Sequence, residues 1–341
     1  MMKESRIDEL HCLIDLHLHL DGAISVASAK KLAAMQGIAL PETDAELEKK
    51  MRVSPDCRDL NEFLEKFDFP LSLLQTPEAL TEAVRTLLEE LARDGLMYAE
   101  VRFAPMLHTT RGMTQAEAVR AALDGVNAGA IPANLILCCM RGAEREMNLE
   151  TVAVAEQYLA AGVAALDLAG AEALFPTADY EEIFTVADEK NIPYTIHAGE
   201  AAGAESVAKA LELGARRIGH GVHASRAQLR ELADCRIPVE MCPTSNVCTQ
   251  AVPDLSAWPL RAFLFEGVIA TVNTDDPAIE GTTLRDEYKK LIRTFRLGRR
   301  DVRQLLFNAV EASFACEERK LEMNRQIESE LRPKSLIDLF S

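Results

Sequence analysis

Eight short apolar runs, separated along most of their length by longer amphipathic stretches, set the strongest limit on how this chain can fold. The runs are Cys12 to His19, Met97 to Phe103, Asn134 to Met140, Val163 to Leu168, Pro193 to His197, Arg217 to His220, Ile237 to Met241 and Val268 to Val272. Between them lie Pro77 to Arg93, Gln115 to Asn127, Leu149 to Leu159, Asp179 to Lys190 and Ser206 to Leu213. Most of these open on Thr, Asp or Pro and several close on Gly, as helices do. Strand and helix in repeated alternation imply a parallel sheet. Eight such units predict an α/β fold, a closed (β/α)8 TIM-type barrel, with an open doubly wound sheet as the alternative.

Two regions depart from the repeat. Residues Ser25 to Leu74, after the first strand, are too long for one crossover and read as several inserted helices, among them Leu60 to Leu71 with Phe63, Phe67 and Phe69. The tail from Leu284 to Leu339 also reads as helix. At 341 residues, without a low-complexity linker or an internal sequence repeat, the economical expectation is a single domain over 1–341. A formal charge of −17 argues against nucleic acid or an anionic membrane as partner, because phosphate contacts need clustered Lys and Arg. A small neutral or cationic substrate fits better. The eight cysteines form no CxxC pair, and neither a leader at Met1 to Leu20 nor a bilayer-length apolar run is visible. Reduced thiols in a cytoplasmic protein are therefore expected.

His17 and His19, in Asp15-Leu16-His17-Leu18-His19-Leu20-Asp21-Gly22, lie two apart in a predicted strand and so share a face. Histidine is the commonest metal ligand, although two imidazoles can also neighbour each other in any exposed strand. Position decides between these readings. Strand five ends in His197, followed by Ala198-Gly199-Glu200; strand six ends in His220 between glycines; strand eight runs into Asn273-Thr274-Asp275-Asp276-Pro277. The carboxyl ends of barrel strands form one rim, where such enzymes build their sites. His17, His19, His197 and Asp275 make a plausible first shell for Zn²⁺, which takes N and O ligands and keeps a position for water in catalytic sites. Hydrolytic attack on an sp² carbon is the expected chemistry. Glu200 is read as a proton shuttle whose pKa partial burial would raise.

Six segments, HLHLDG from His17, DLAG from Asp167, HAGE from His197, GHG from Gly219, CPTSN from Cys242 and NTDDP from Asn273, together resemble the adenosine deaminase family of metal-dependent amidohydrolases. They occur in family order and span nearly the whole chain. The resemblance implies one Zn²⁺ per chain on His17, His19, His197 and Asp275, and a purine nucleoside as substrate. Glu200 would give a proton to purine N1, His220 would position and help deprotonate the zinc water, and Asp276 would stand near N7 and the attacking oxygen. The Gly170 N–H would meet N3 and Asp21 the ribose 5′-hydroxyl, with His19 also counted among the substrate contacts. Leu60, Phe63 and Phe67 resemble the family's apolar gate, and core packing explains them equally well.

Two stretches depart from the family pattern. Ala171 then Glu172 stand where many members have an acidic residue directly after the DLAG glycine, and Cys248, Thr249 and Gln250 replace a more usual Q-T-G. Both stretches are expected near the purine rim, where they would tune substrate preference. Rival readings are a deaminase of adenine or aminodeoxyfutalosine, a binuclear amidohydrolase, and an inactive paralogue acting as a binding protein. Asp21 argues for a nucleoside, and strand four ends Leu166-Asp167-Leu168-Ala169-Gly170 without the lysine that would bridge two metals.

Overall fold

The computed structural model of the protein describes residues 2–332. Its strands are β1 (Leu13–His19), β2 (Leu96–Phe103), β3 (Ala133–Met140), β4 (Val163–Ala169), β5 (Thr195–Ala198), β6 (Arg217–His220), β7 (Val239–Met241) and β8 (Ala270–Val272). β1 to β4 and β5 to β8 form two parallel four-stranded runs. Single bridges join the runs, Leu166 with Tyr194 and Leu18 with Asp275. At the second seam Asp275 N donates to His17 O at 2.8 Å and His19 N to Asp275 O at 2.9 Å. The ring is closed, as expected, and the open sheet is excluded.

The inserted segment holds α1 (Val26–Gln36), α2 (Asp44–Met51), α3 (Leu60–Leu64) and α4 (Asp68–Ser72), before α5 (Pro77–Arg93) returns the chain to β2. α5 spans the expected residues; Thr76 caps it by accepting from Ala79 N, and Pro77 occupies its first turn, where a missing N–H is harmless. Leu60 to Leu71 is not one helix. A 3₁₀ turn at Glu65–Phe67 divides it, and Pro70 supplies no N–H to continue a regular ladder. The tail divides into Leu284–Phe295, Arg299–Ala312 and Glu317–Glu330, the first break falling at Arg296, whose φ is 52°. Residues 333–341, including the expected helix end at Leu339, lie outside the described residues.

The barrel interior differs from the branched apolar filling usual for this architecture. On β2, Tyr98, Glu100 and Arg102 share one face while Ala99, Val101 and Phe103 take the other, and all six are buried. Asp167 from β4, Arg217 from β6 and Glu240 from β7 join Glu100 and Arg102 at zero exposure. Arg102 donates to Asp167 at 2.8 Å and to Glu240 at 2.7 Å, and Arg217 reaches Glu100 at 2.6 Å and Glu240 at 2.5 Å. Buried charges persist only when paired. This ionic belt lies directly beneath the rim. Among the described residues, no helix is long and apolar enough to cross a membrane.

Candidate active site

The β1–β8 seam brings His17, His19 and Asp275 together, and β5 delivers His197. His17 Nε2 lies 3.0 Å from His197 Nε2 and 3.2 Å from Asp275 Oδ1; His19 Nε2 lies 3.3 Å from each. Two backbone positions here are costly. Asp275 has φ 69° and His220 φ 61°, left-handed values that non-glycine residues hold at roughly 1–3 kcal/mol when the surroundings impose them. At Asp275, the paired hydrogen bonds to β1 do the imposing.

The protonation of two rings follows from their partners. His17 Nδ1 lies 2.7 Å from Glu240 Oε2, and His197 Nδ1 lies 3.0 Å from Asp167 Oδ1. Each carboxylate accepts a hydrogen bond from Nδ1–H, the arrangement that orients metal-bound histidines, so each neutral ring turns an Nε2 lone pair inward. Without metal, and against the effect of burial, the nearby carboxylates of Asp275 and Glu240 raise His17 to about 9, so a proton on Nε2 bridges the 3.0 Å gap to His197; a metal ion would take that proton's place between the two lone pairs. A tetrahedral ion with bonds of about 2.0–2.1 Å has ligand–ligand edges of roughly 3.3–3.4 Å, close to the observed spacings. The donor set therefore fits a divalent metal.

His220 belongs to the same cluster, with ligand atoms of His17, His197, His220 and Asp275 all within 4.8 Å of one another. Its hydrogen bonding sets it apart. Trp258 Nε1 donates to Asn246 Oδ1 at 3.0 Å, which turns Asn246 Nδ2 towards His220 Nδ1, also at 3.0 Å. Nδ1 accepts, so the proton of the neutral ring is on Nε2. Burial pushes the His220 pKa well below its ordinary value, and Nε2 points at Glu200 Oε2 (3.5 Å) and Asp275 Oδ2 (3.7 Å). His220 thus offers an N–H where its neighbours offer lone pairs.

Glu200 is 4% exposed, with the Thr249 hydroxyl 3.0 Å from Oε1. Burial, reinforced by the charges of Asp275 and Glu172, pushes its carboxyl up to about 8. Burial and then the charge of Asp275 likewise hold Asp276 well above the usual carboxylate range. Gly22 permits this crowding, since a Cβ there would fall 1.7 Å from Asp276 Oδ1. Burial pushes Asp21 up to about 6, and its Oδ1 is without a protein partner.

These groups open on one cavity of about 880 Å³ including its mouth. His19, Asp21, Gly170, His197, Glu200, His220, Asp275 and Asp276 line its floor and walls, and Leu60, Phe63 and Phe67 line its roof. His17 lies behind this lining, fully buried. Phe63 also packs with Cys57 and Ile279 in a small cluster separate from the main core, so roofing and packing are the same contact. Phe69 turns into the main core instead. Of the stretches that depart from the family pattern, Ala171, Cys248 and Gln250 are not among the cavity-lining residues, although their neighbours Gly170 and Thr249 are. Glu172 faces the β5 loop, Cys248 packs beneath α3, and Gln250 is exposed and bonds back to Val247 O. Thr249 is the residue of that stretch that meets the site.

Sequence reasoning missed Arg102, Glu240, Thr249, Asn246 and the ring-orienting role of Asp167. The alternation of charged residues along a buried β2 was the available signal. Residues 12–330 match the family model described as adenosine deaminase. The chain is 51% identical over 320 residues to the adenosine deaminase of Haemophilus ducreyi, covering 90% of this chain and 93% of the relative. It is 38% identical over 334 residues to that of Enterococcus faecalis, covering 96% and 98%. Among solved structures, the adenine deaminase of Arthrobacter aurescens superposes with a TM-score of 0.84 at 29% identity, over 94% of this chain and 99% of that one. With a closed barrel, a metal-fitting histidine cluster and a match over nearly its whole length, the chain belongs to the adenosine deaminase family.

Proposed function

We propose that this enzyme carries out its reaction, the hydrolytic deamination of adenosine to inosine and ammonia, with one Zn²⁺ on His17, His19, His197 and Asp275. A zinc ion bound there supplies a nucleophile by lowering the pKa of coordinated water to about 7. Glu200 carries the reading: a buried carboxyl raised to about 8 stays protonated at neutral pH opposite the histidine cluster. It gives that proton to purine N1, which makes C6 electrophilic. His220 directs its Nε2–H at the incoming oxygen and holds it; the tautomer favours orienting that oxygen over taking its proton. Asp276, which burial keeps protonated, is assigned the hydrogen bond to N7. On collapse the C6 hydroxyl gives up its proton as the C6–NH₂ bond breaks, the departing nitrogen takes a proton to leave as ammonia, the N1 proton stays with inosine, and the proton released by the attacking water restores the Glu200 carboxyl.

The Gly170 N–H is assigned to purine N3 and Asp21 to the ribose 5′-hydroxyl. The unpartnered Asp21 Oδ1 supports a nucleoside over free adenine, because a buried acceptor left without a donor costs about 1–3 kcal/mol. 2′-Deoxyadenosine keeps the 5′-hydroxyl and is expected to turn over as well. The test is loss of adenosine absorbance with stoichiometric ammonia release, abolished by chelation and restored by zinc, beside parallel assays of 2′-deoxyadenosine and adenine. E200Q at ordinary turnover would overturn the proton assignment; adenine outpacing adenosine would overturn the substrate.

A further inference from the structure

The segment linking His197 to Glu200 is irregular, and the chain from Gly199 to Gly203 belongs to neither strand nor helix. Its N–H groups still need acceptors. One carboxylate supplies them. Glu172, 2% exposed, accepts from Gly199 N at 2.7 Å, Glu200 N at 3.0 Å, Ala201 N at 2.7 Å and Ala202 N at 2.9 Å, and from the Ser206 hydroxyl. Successive N–H groups around one anion make a concave site of the kind that binds phosphates, here filled by a side chain. On the opposite side Arg141 donates to His197 O at 2.7 Å and to Thr177 Oγ1 at 3.0 Å, and Thr177 meets Ser206 at 2.8 Å. A cation thus holds the carbonyl of His197 while an anion holds the four N–H groups beyond it.

We propose that Glu172 is the positioning residue for the proton donor: by clamping the backbone of Gly199 to Ala202 it aims the Glu200 carboxyl at purine N1. The clamp fixes Glu200 at its own amide, and Thr249 steadies the far end at 3.0 Å. Glu172 is not among the residues lining the cavity, so it acts on Glu200 through the loop. A carboxamide at this position offers one acceptor oxygen and one donor group to a ring of donors, so E172Q lets the loop shift. Misplacing a catalytic group by about 1 Å costs on the order of 100-fold in rate.

This inference rests on Glu200 donating to N1, and a double-mutant cycle separates the two claims. E172Q is expected to lower kcat about 100-fold while KM changes less than about 3-fold and metal content stays at the parent value. In an E200Q background, where no proton is left to aim, E172Q should lower kcat by less than about 3-fold, the coupling expected of residues acting as a unit. E172D, which keeps the charge one methylene short, should recover part of the lost kcat and provides the same cycle where E172Q does not fold. Parent-like kcat in E172Q or E172D, or a full additional loss on top of E200Q, would overturn the clamp. E200Q at ordinary turnover would instead overturn the reading beneath it.

Discussion

Replacing Arg102 tests whether the buried ionic belt serves the metal as well as the fold. Its guanidinium has zero exposure and makes three contacts, to Asp167 at 2.8 Å, Glu240 at 2.7 Å and Leu16 O at 2.7 Å. Two cations, Arg102 and Arg217, face three anions, Glu100, Asp167 and Glu240, a net of −1 that R102M makes −2. Burial opposes ionisation of Asp167 and Glu240, yet both are held well below the usual carboxylate range, Asp167 by His197 and Arg102 and Glu240 by Arg102 and Arg217. Arg217 still reaches Glu240 in the variant, whereas Asp167 loses its guanidinium partner. Breaking a buried pair in this way costs about 3–5 kcal/mol, which urea unfolding of metal-free protein would measure. A weakened hold on Asp167 and Glu240 loosens the Nδ1 anchors of both ligand rings, so chelator competition should show metal bound about 10–100-fold more weakly. R102K restores charge without the fork and should regain part of the stability and little of the affinity. R102M that loses stability but binds metal as tightly as the parent would refute the coupling.

The proposed proton transfer needs Glu200 protonated, so its raised value of about 8 predicts kcat/KM level below that pH and falling about tenfold per unit above it; T249V, which removes a contact that lowers this pKa, should move the limb upward, and a flat profile to high pH would count against the assignment. His108 is fully buried and burial lowers its pKa from 6.5 to about 4. A depressed histidine contributes stability that is complete above pH 6.5 and is lost as pH falls towards 4, about 3 kcal/mol in all; unfolding curves across that window should show it, with a smaller drop in H108Q. A metal held as proposed would join β1 to the Asp275 segment, so amide exchange at His19 and Asp275 should slow on metal binding by up to about 10³-fold at saturating metal. The Leu166 amide, bonded to Pro193 O at the other seam, is the control, and equal slowing there would mean that exchange proceeds by global opening.

What could be read in advance followed local rules. His17 and His19 were legible because a strand has period two, and His197 and Asp275 because barrel chemistry collects at strand ends. The helix of Pro77–Arg93 was legible from Thr76, Pro77 and its apolar stripe. Arg102 was not, because its partners lie 65 and 138 residues away and no spacing rule links them. Glu172 was expected at the purine rim; four backbone N–H groups without a regular partner drew it to the β5 loop instead. The equal claims of gate and core on Phe63 turned on tertiary placement alone.

The arrangement divides the work between rigid and short elements. A charged barrel core is a poor way to gain stability, since a buried ion pair often does no better than a hydrophobic replacement. It does let every ring that needs aiming be aimed from a strand: His17 through Glu240, His197 through Asp167, with Arg102 tying the two carboxylates together. The roof is built differently. α3 and α4 have five residues each, on either side of a 3₁₀ turn, and Leu60 and Phe67 are only partly buried there. Helices that short hold their shape through packing more than through their own hydrogen bonds, so substitutions in the roof are expected to leave the floor in place. Specificity among 6-aminopurines is then expected to vary through Leu60, Phe63 and Phe67, while the deamination chemistry stays with the strand ends and the ionic belt beneath them.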